Sequence, residues 1–573
     1  MTAFNDDNAL LFVPLGGAGE IGMNLNLYGH RGEWMMVDFG LSFADETLPG
    51  AEIVLPDPTF LEELAERGER VAGLVLTHAH EDHIGAVPYL WRRIGRPPIT
   101  CTRFTAAVLR QKLRDAGVSN GGASIRVVEP GEAFEIGPFR CHFVHVTHSI
   151  PEANALAVRT PLGNVLHSGD WKLDPEPLIG GTTQEKALAA FGNEGVLALV
   201  SDSTNVFDHG TSGSEAAVRS SLEELVARQR GRVAITSFAS NVARMDTAMK
   251  VAEATGRQVA VVGRSMRRMI HAAREVGYLR DMPELLDERE LGILPRERVL
   301  LLCTGCQGEP RSTMARIAAR SHPTVQLDPG DTVIFSSRII PGNERTLFAL
   351  HNLLLQGGIE VITEEDHFVH VSGHPCRDEM AQLYEWIKPR ISVPVHGEVR
   401  HLHEHAALAR KLGVGQAVQI TNGDVLRLAP GEPAVIDRVH TGRLVVENEG
   451  LVEAGDEMFR VRRRLMNHGT VLVGLTMDPY GSLLAPPQLS VIGAADLQSQ
   501  PDLRAAAVEA IEDEIDALED SAAAEDDRVR EAVRVGARRG LRLARDRRPI
   551  IEVQVTRLSG EALAALEEAE APE

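Results

Sequence analysis

Residues 77–86, "THAHEDHIGA", bring His78, His80 and His83 together with Glu81 and Asp82. A solvated loop has no need of so many ligand atoms. The preceding "VAGLVLT" is an apolar run that reads as a buried strand, and the following "IGAVPYLWRRI" is compatible with a helix. The cluster therefore falls at a strand-to-helix turn. His78 and His80, two apart in extended backbone, point the same way, while Asp82 and His83 open the helix. Neutral imidazoles and carboxylates suit zinc or manganese. One turn does not complete a two-metal site, so further ligands must come from elsewhere. "HVTHSIPE" offers His145 and His148, "LHSGDWKLD" offers His167, Asp170 and Asp174, and "PVHGE" offers His396 and Glu398. A lone histidine in any of these would read as a satisfied polar residue. Their shared position at the ends of strand-like runs makes them candidates.

The elements that must position these groups fall into distinct stretches. Residues 1–205 alternate short apolar runs with turn signals: "ALLFVPLGG", "EWMMVDFG", "FRCHFVHVTHS", "NALAVRT", "GNVLHSGDW" and "VLALVSDSTN" read as strands. Residues 206–363 change to a strand–helix rhythm, as in "RVAITSF", "NVARMDTAMKVAEATG" and "QVAVVGR". That rhythm predicts a parallel sheet with helices on its faces. In 364–445 the strand-end chemistry resumes, with "HFVHVSGHP" and "ISVPVHGE". The middle stretch thus reads as a domain inserted into the first. Residues 446–573 read as a small α+β domain with an acidic segment, a basic helix "RVREAVRVGARRGLRLARDRRP" and a frayed tail.

The net charge of -22 excludes a protein that is basic all over, though not a local phosphate-binding groove. No run is long and apolar enough for a membrane span. The N-terminus shows no signal-peptide pattern. Five cysteines are too few for a disulfide framework, and a cytoplasmic location is expected. "CTGC", with Cys303 and Cys306, has no second pair to complete a zinc site. Gly17, Gly19 and Gly22 match a dinucleotide fingerprint, but a strand-like run follows where a helix is required. A turn near the metal site is the better reading.

The pattern His78-x-His80-x-Asp82-His83 resembles the metallo-β-lactamase signature. The resemblance implies an αββα sandwich with two divalent ions, zinc foremost with manganese or magnesium as alternatives. By that resemblance His78, His80 and His148 hold one ion, Asp82, His83 and His396 the other, and Asp170 bridges; Asp38 is a structural support. "HSIPE", "HSGDWKLD", "SDSTN", "GRSM", "TGCQGEP", "HVSGH" and "PVHGE" together resemble the ribonuclease J branch of the β-CASP nucleases. The chain departs from that pattern at Cys306, where serine is expected, at Glu152, where aspartate is common, and in "ASNVARM", which lacks a histidine after the asparagine.

The resemblance implies 5′–3′ exonuclease and endonuclease activity on RNA in mRNA decay and rRNA maturation. Two ions about 3.5–4 Å apart make a nucleophile from water and neutralise phosphate charge, giving 5′-phosphate and 3′-hydroxyl products. Asp202 and His374 match an acid–histidine pair placed near the leaving oxygen. "HVSGH" (His370, Val371, Ser372, Gly373, His374) is a compact donor cluster able to grip a phosphate, which the resemblance extends to a 5′-monophosphate end. Ser237 and Asn241 are candidates for the opposite wall. Arg264 reads equally as a phosphate contact or a packing residue. A homodimer or homotetramer and an RNA-degradation complex are implied, with no membrane partner. Two other readings are weighed: hydrolysis of a small ester or amide, and a catalytically silent RNA-binding scaffold. The large insertion argues against the first, the intact ligand set against the second.

Overall fold

The computed structural model describes residues 8–118, 124–129, 131–340, 342–448, 450–496, 500–542 and 547–562. The tail expected to fray lies outside them from residue 563 onward. The chain divides into two compact units, residues 1–43 with 53–444 and residues 44–52 with 445–573.

In the first unit, an eight-stranded sheet takes the order 434–438, 424–429, 10–16, 25–30, 33–37, 70–75, 99–101 and 125–127. A seven-stranded sheet takes the order 133–136, 139–145, 154–160, 163–167, 196–202, 391–395 and 416–417. Leu10, Phe12, Met35 and Val75 of the first share one core with Phe139, Phe143, Leu156, Val200 and Val393 of the second, so the sheets lie face to face. Both are buried on two sides, which is why their strands read as near-continuous apolar runs. Helices Glu185–Asn193, Arg377–Ile387 and Val399–Lys411 cover the outer face of the second sheet through Leu188, Phe191, Leu383 and Leu408. The helix Thr59–Glu66 covers the other outer face, where Phe60 meets Trp34 edge-on at 5.7 Å. This is the expected αββα sandwich.

Within that sandwich's chain lies a five-stranded sheet, order 258–262, 299–303, 233–236, 332–335 and 360–362, with every pair parallel. Helices including Glu215–Arg228, Val242–Ala254, Arg264–Glu275 and Glu344–Gln356 flank it, and Leu301, Val333, Phe335, Leu347 and Leu350 pack its core. The chain leaves the sandwich after the strand Val196–Asp202 and returns to pair beside it: Ile391–Val395 runs parallel to it, with Asp202 opposite Val395. Residues far apart in sequence thereby meet at one sheet edge.

In the second unit, strand Thr470–Met477 pairs antiparallel with Gln488–Ile492 and parallel with Ile550–Arg557. The acidic stretch is helical (Pro501–Asp516) and packs Ala507, Ile511 and Ile515 against Val529, Val533 and Ala537 of the basic helix Asp526–Gly540. A Cβ on Gly540 would lie 2.4 Å from the Ala507 Cα, so glycine permits this close crossing. Arg539 joins the two helices through Glu514 (2.5 Å) and Asp513 (3.3 Å). Among the described residues no helix is long and apolar enough to cross a membrane.

Candidate metal centre

The strand Arg70–Val75 delivers Thr77 and His78 to the sheet edge, and the four-residue helix Glu81–Ile84 begins just after His80. That turn lies directly on the loop after Val37. A Cβ on Gly40 would come 1.7 Å from the Asp82 carbonyl oxygen, so only glycine permits the contact. Asp38 and His396 both adopt left-handed backbone, φ 64° and 52°. Strained backbone of this kind collects where a side chain must be aimed.

Two groups of donor atoms form. Nδ1 of His80 lies 3.1 Å from Nε2 of His78 and 3.0 Å from Nε2 of His148. Nε2 of His83 lies 3.5 Å from Asp82 Oδ2, and Nε2 of His396 lies 3.3 Å from the same oxygen. Asp170 Oδ2 belongs to both groups, at 3.8 Å from His78 and from His148, 3.2 Å from His83 and 3.7 Å from His396. In each group the ligand atoms all lie within 4.8 Å of one another. The structure thus brings together all seven residues expected as ligands.

The other ring nitrogens explain why these atoms are free. His83 Nδ1 donates to Asp38 Oδ2 at 2.7 Å, and His148 Nδ1 donates to the Gly373 carbonyl at 2.5 Å. The Thr77 hydroxyl donates to Asp38 Oδ2 (2.9 Å) and accepts from His78 Nδ1 (3.0 Å). With Nδ1 the donor in all three rings, each Nε2 faces the shared centre, and in neutral His78 and His148 it carries the free lone pair that metal-binding histidines use. Burial dominates His78 and His148, holding them well below the ordinary imidazole value, and lowers His80 to about 4. These rings are neutral and ready to coordinate. His83 goes the other way. Burial opposes its charge, but Asp170, Asp82 and Asp38 outweigh it and push it well above the ordinary value. A pocket that draws a proton so strongly also suits a cation, and the donor set fits divalent metal.

Beside this centre Asp202 Oδ2 lies 2.7 Å from His374 Nδ1, and Asp202 Oδ1 accepts from Thr204 N (2.8 Å) and Thr204 Oγ1 (2.7 Å). Burial acts against charge on His374, yet the Asp202 and Asp170 charges and the Asp202 hydrogen bond push it up to about 9. Of the "HVSGH" residues, Ser372 Oγ accepts from Asn205 Nδ2 (2.7 Å) and His374 N (3.2 Å), leaving its own proton to donate. Gly373 packs on His148, where a Cβ would lie 2.8 Å from Cε1. Val371 is buried, and His370 is nearly so, with Nδ1 unpaired. Ser237 is buried and donates to the Phe238 carbonyl at 3.4 Å, and Asn241 caps the helix Val242–Ala254 by accepting from Arg244 N at 2.8 Å. Those are local uses.

Several other residues offered by sequence have different partners. His145 bonds the Gly181 carbonyl, His167 meets the Tyr28 hydroxyl at 3.1 Å, and Asp174 pairs with buried Lys172 at 3.0 Å. Glu81 turns away from the centre to Lys112. Cys303 and Cys306 are buried and unbridged. Asn24, Thr77 and Asn205 position site residues although the motif pattern assigned them no role. Asn24 Nδ2 donates to the Asp82 carbonyl at 3.2 Å, and the other two fix His78 and Ser372 as described. Each is the polar neighbour of a motif residue, and that was the available signal.

Four families match along the chain. They are the metallo-beta-lactamase superfamily over residues 22–227, the ribonuclease J beta-CASP domain over 230–354, the Zn-dependent metallo-hydrolase RNA specificity domain over 358–420 and the ribonuclease J C-terminal domain over 458–558. The chain is 43% identical to ribonuclease J of Sinorhizobium meliloti, covering 86% of this chain and 87% of that protein. It is 35% identical to ribonuclease J of Mycolicibacterium smegmatis, covering 92% and 93%. It is 36% identical to ribonuclease J of Thermus thermophilus, covering 80% and 81%. Similarity at this level runs through sandwich, insertion and C-terminal unit alike, and the chain belongs to the ribonuclease J family, as a metallo-β-lactamase-fold ribonuclease.

Proposed function

We propose that the chain is a two-metal ribonuclease that degrades RNA from 5′-monophosphorylated ends and also cuts internally, acting in cytoplasmic mRNA decay and rRNA maturation. The observation that carries this reading is the position of Asp170 Oδ2, shared by two complete donor groups. His78, His80 and His148 would hold one ion and Asp82, His83 and His396 the other, with Asp170 common to both and zinc the favoured metal. Ions held there supply Lewis acidity, activating water at neutral pH and neutralising phosphate charge.

The chain's own groups do the rest. His374, charged beside Asp202, donates its proton to the departing 3′-oxygen of the cleaved phosphodiester, leaving a 5′-phosphate and a 3′-hydroxyl. Asp202 is fixed by Thr204 and so holds the ring in one orientation. Ser372 and the Gly373 amide, with His370, present donors to the substrate phosphate. Ser237 and Asn241 form the opposite wall, and Asp38 keeps His83 in its ligand tautomer. The working form is a homodimer or homotetramer, available to an RNA-degradation complex.

The test is incubation of 5′-monophosphorylated RNA with Mn²⁺ or Mg²⁺, with and without chelator, for wild type and His80→Ala. Mononucleotide release abolished by chelator and by the substitution supports the reading. A metal-loaded wild type that cleaves no RNA overturns it.

A further inference from the structure

The helices Arg103–Asp115 and Arg264–Glu275 concentrate positive charge in an acidic protein. The first carries Arg103, Arg110, Lys112 and Arg114 against a single acid, Asp115. The second carries Arg264, Arg267, Arg268 and Arg274 with His271 against a single acid, Glu275. The whole chain has 59 basic and 81 acidic residues, so this composition is a local reversal. The two helices pack on each other. Arg268 pairs with Asp115 at 3.0 Å, and the Phe104 ring meets the Tyr278 ring edge-on at 6.2 Å.

On the 264–275 helix the spacing i, i+3/i+4, i+7, i+10 puts Arg264, Arg267, Arg268, His271 and Arg274 on one exposed face, over about 15 Å of helix. Met266, Ile270 and Ala273 are buried on the opposite side. Some of these charges have partners, such as Arg267 with Glu288 at 2.8 Å. Arg110, Arg264 and Arg274 have no carboxylate partner among the described residues. Exposed like charges one turn apart repel, and the ion pairs of Arg267 and Arg268 offset only part of that among the described residues.

The patch also abuts the metal centre. The Phe104 N–H donates to Glu152, in the loop after His148, at 2.8 Å, and Lys112 contacts Glu81, the neighbour of Asp82.

We infer that this pair of helices is a binding surface for the sugar–phosphate backbone of single-stranded RNA outside the metal centre. The inference rests on the reading of the chain as a nuclease acting on RNA. The exposed face is a row of point charges without a large aromatic or aliphatic anchor. That suits a polyphosphate and does not suit a protein partner, whose interface would need such anchors. It also binds chiefly through charge rather than by reading bases, since the His271 imidazole is the one ring on the exposed face of the 264–275 helix.

The test is the full chain with Arg110→Ala, Arg264→Ala and Arg274→Ala combined. Binding of a long RNA and of a trinucleotide, both 5′-monophosphorylated, is read by fluorescence anisotropy in chelator across a salt series. Three lost phosphate contacts should make the log–log salt slope for the long RNA shallower by about 2. The trinucleotide should bind as to wild type, and a triple lysine variant should retain the wild-type slope. An unchanged slope overturns the inference, as does equal weakening for the trinucleotide. Because binding is measured without turnover, a wild type that binds RNA but never cleaves it would sink the nuclease reading and leave this surface to be judged on its own slope.

Discussion

Tyr278, in the inserted segment, donates its hydroxyl to Glu152, in the loop that follows His148, at 3.3 Å. The second Glu152 oxygen accepts the Phe104 N–H at the start of the 103–115 helix. One carboxylate thus ties a helix terminus and the inserted segment to a loop beside the metal centre, from a left-handed backbone position (φ 56°). Glu152→Ala should cost about 2.5–4 kcal/mol, the sum expected from a lost helix cap and a charged hydrogen bond. Tyr278→Phe should cost about 1 kcal/mol, because it spares the helix terminus. Urea midpoints measure both. Equal losses for the two variants would contradict the division of labour.

The Asp202–His374 pair leads to a separation of metal binding from turnover. Neither His374→Ala nor Asp202→Asn removes any of the seven proposed ligands. Metal content by mass spectrometry should stay at the wild-type level. Turnover of RNA should fall by about 10²–10⁴-fold, the usual worth of general acid catalysis. Metal lost in parallel with activity would assign these residues to the centre instead.

A buried ion pair braces the inserted segment against the stretch that leads into "HVSGH". Arg244 Nη2 lies 3.0 Å from Glu215 Oε2, both side chains almost wholly buried, and Arg244 Nη1 donates to the Val369 carbonyl at 2.9 Å. Arg244→Met leaves Glu215 buried without its partner and should destabilise the fold by about 3–5 kcal/mol. Replacing both residues, as Glu215→Leu with Arg244→Met, should recover most of that, since no charge is then stranded. Thermal denaturation of the single and double variants decides the matter, and a double variant no better than the single would refute it.

Asp57 predicts a pH dependence of stability. Burial would raise this carboxyl. Its hydrogen bonds from Thr59 Oγ1 (2.6 Å) and Thr59 N (3.0 Å), and from His440 at 3.0 Å, together hold it below the usual carboxylate value. A folded-state pKa below the unfolded one stabilises at pH above the unfolded value. That stabilisation is lost as pH falls from about 4 through the folded-state value. Wild type should therefore exceed Asp57→Asn in urea midpoint at pH 6, and the gap should narrow as pH drops below about 4. A gap that widens toward acid would show the sign to be wrong.

The metal chemistry was most legible where it is local. His78, His80, Asp82 and His83 need only a strand running into a helix to face one way, and alternation plus spacing shows that. His148, Asp170 and His396 had no such local mark, and family resemblance singled them out from His145, His167, Asp174 and Glu398. The sandwich and the parallel inserted sheet were readable as apolar runs and strand–helix rhythm, because two-sided burial leaves a compositional trace. Glu81 could not be assigned, since its partner Lys112 is on another helix.

By itself, then, the amino-acid sequence determined which atoms are available for metal and phosphate and which stretches become strands and helices. Those are short-range properties of composition and period. Only the tertiary structure decided that Asp202 lies in register with Val395, next to His396, across the whole inserted segment. It alone set the tautomers, through the Gly373 carbonyl, Thr77 and Asp38. Strand pairing and backbone acceptors are non-local, fixed by which faces bury together. A ligand's free lone pair therefore depends on residues that no spacing rule connects to it.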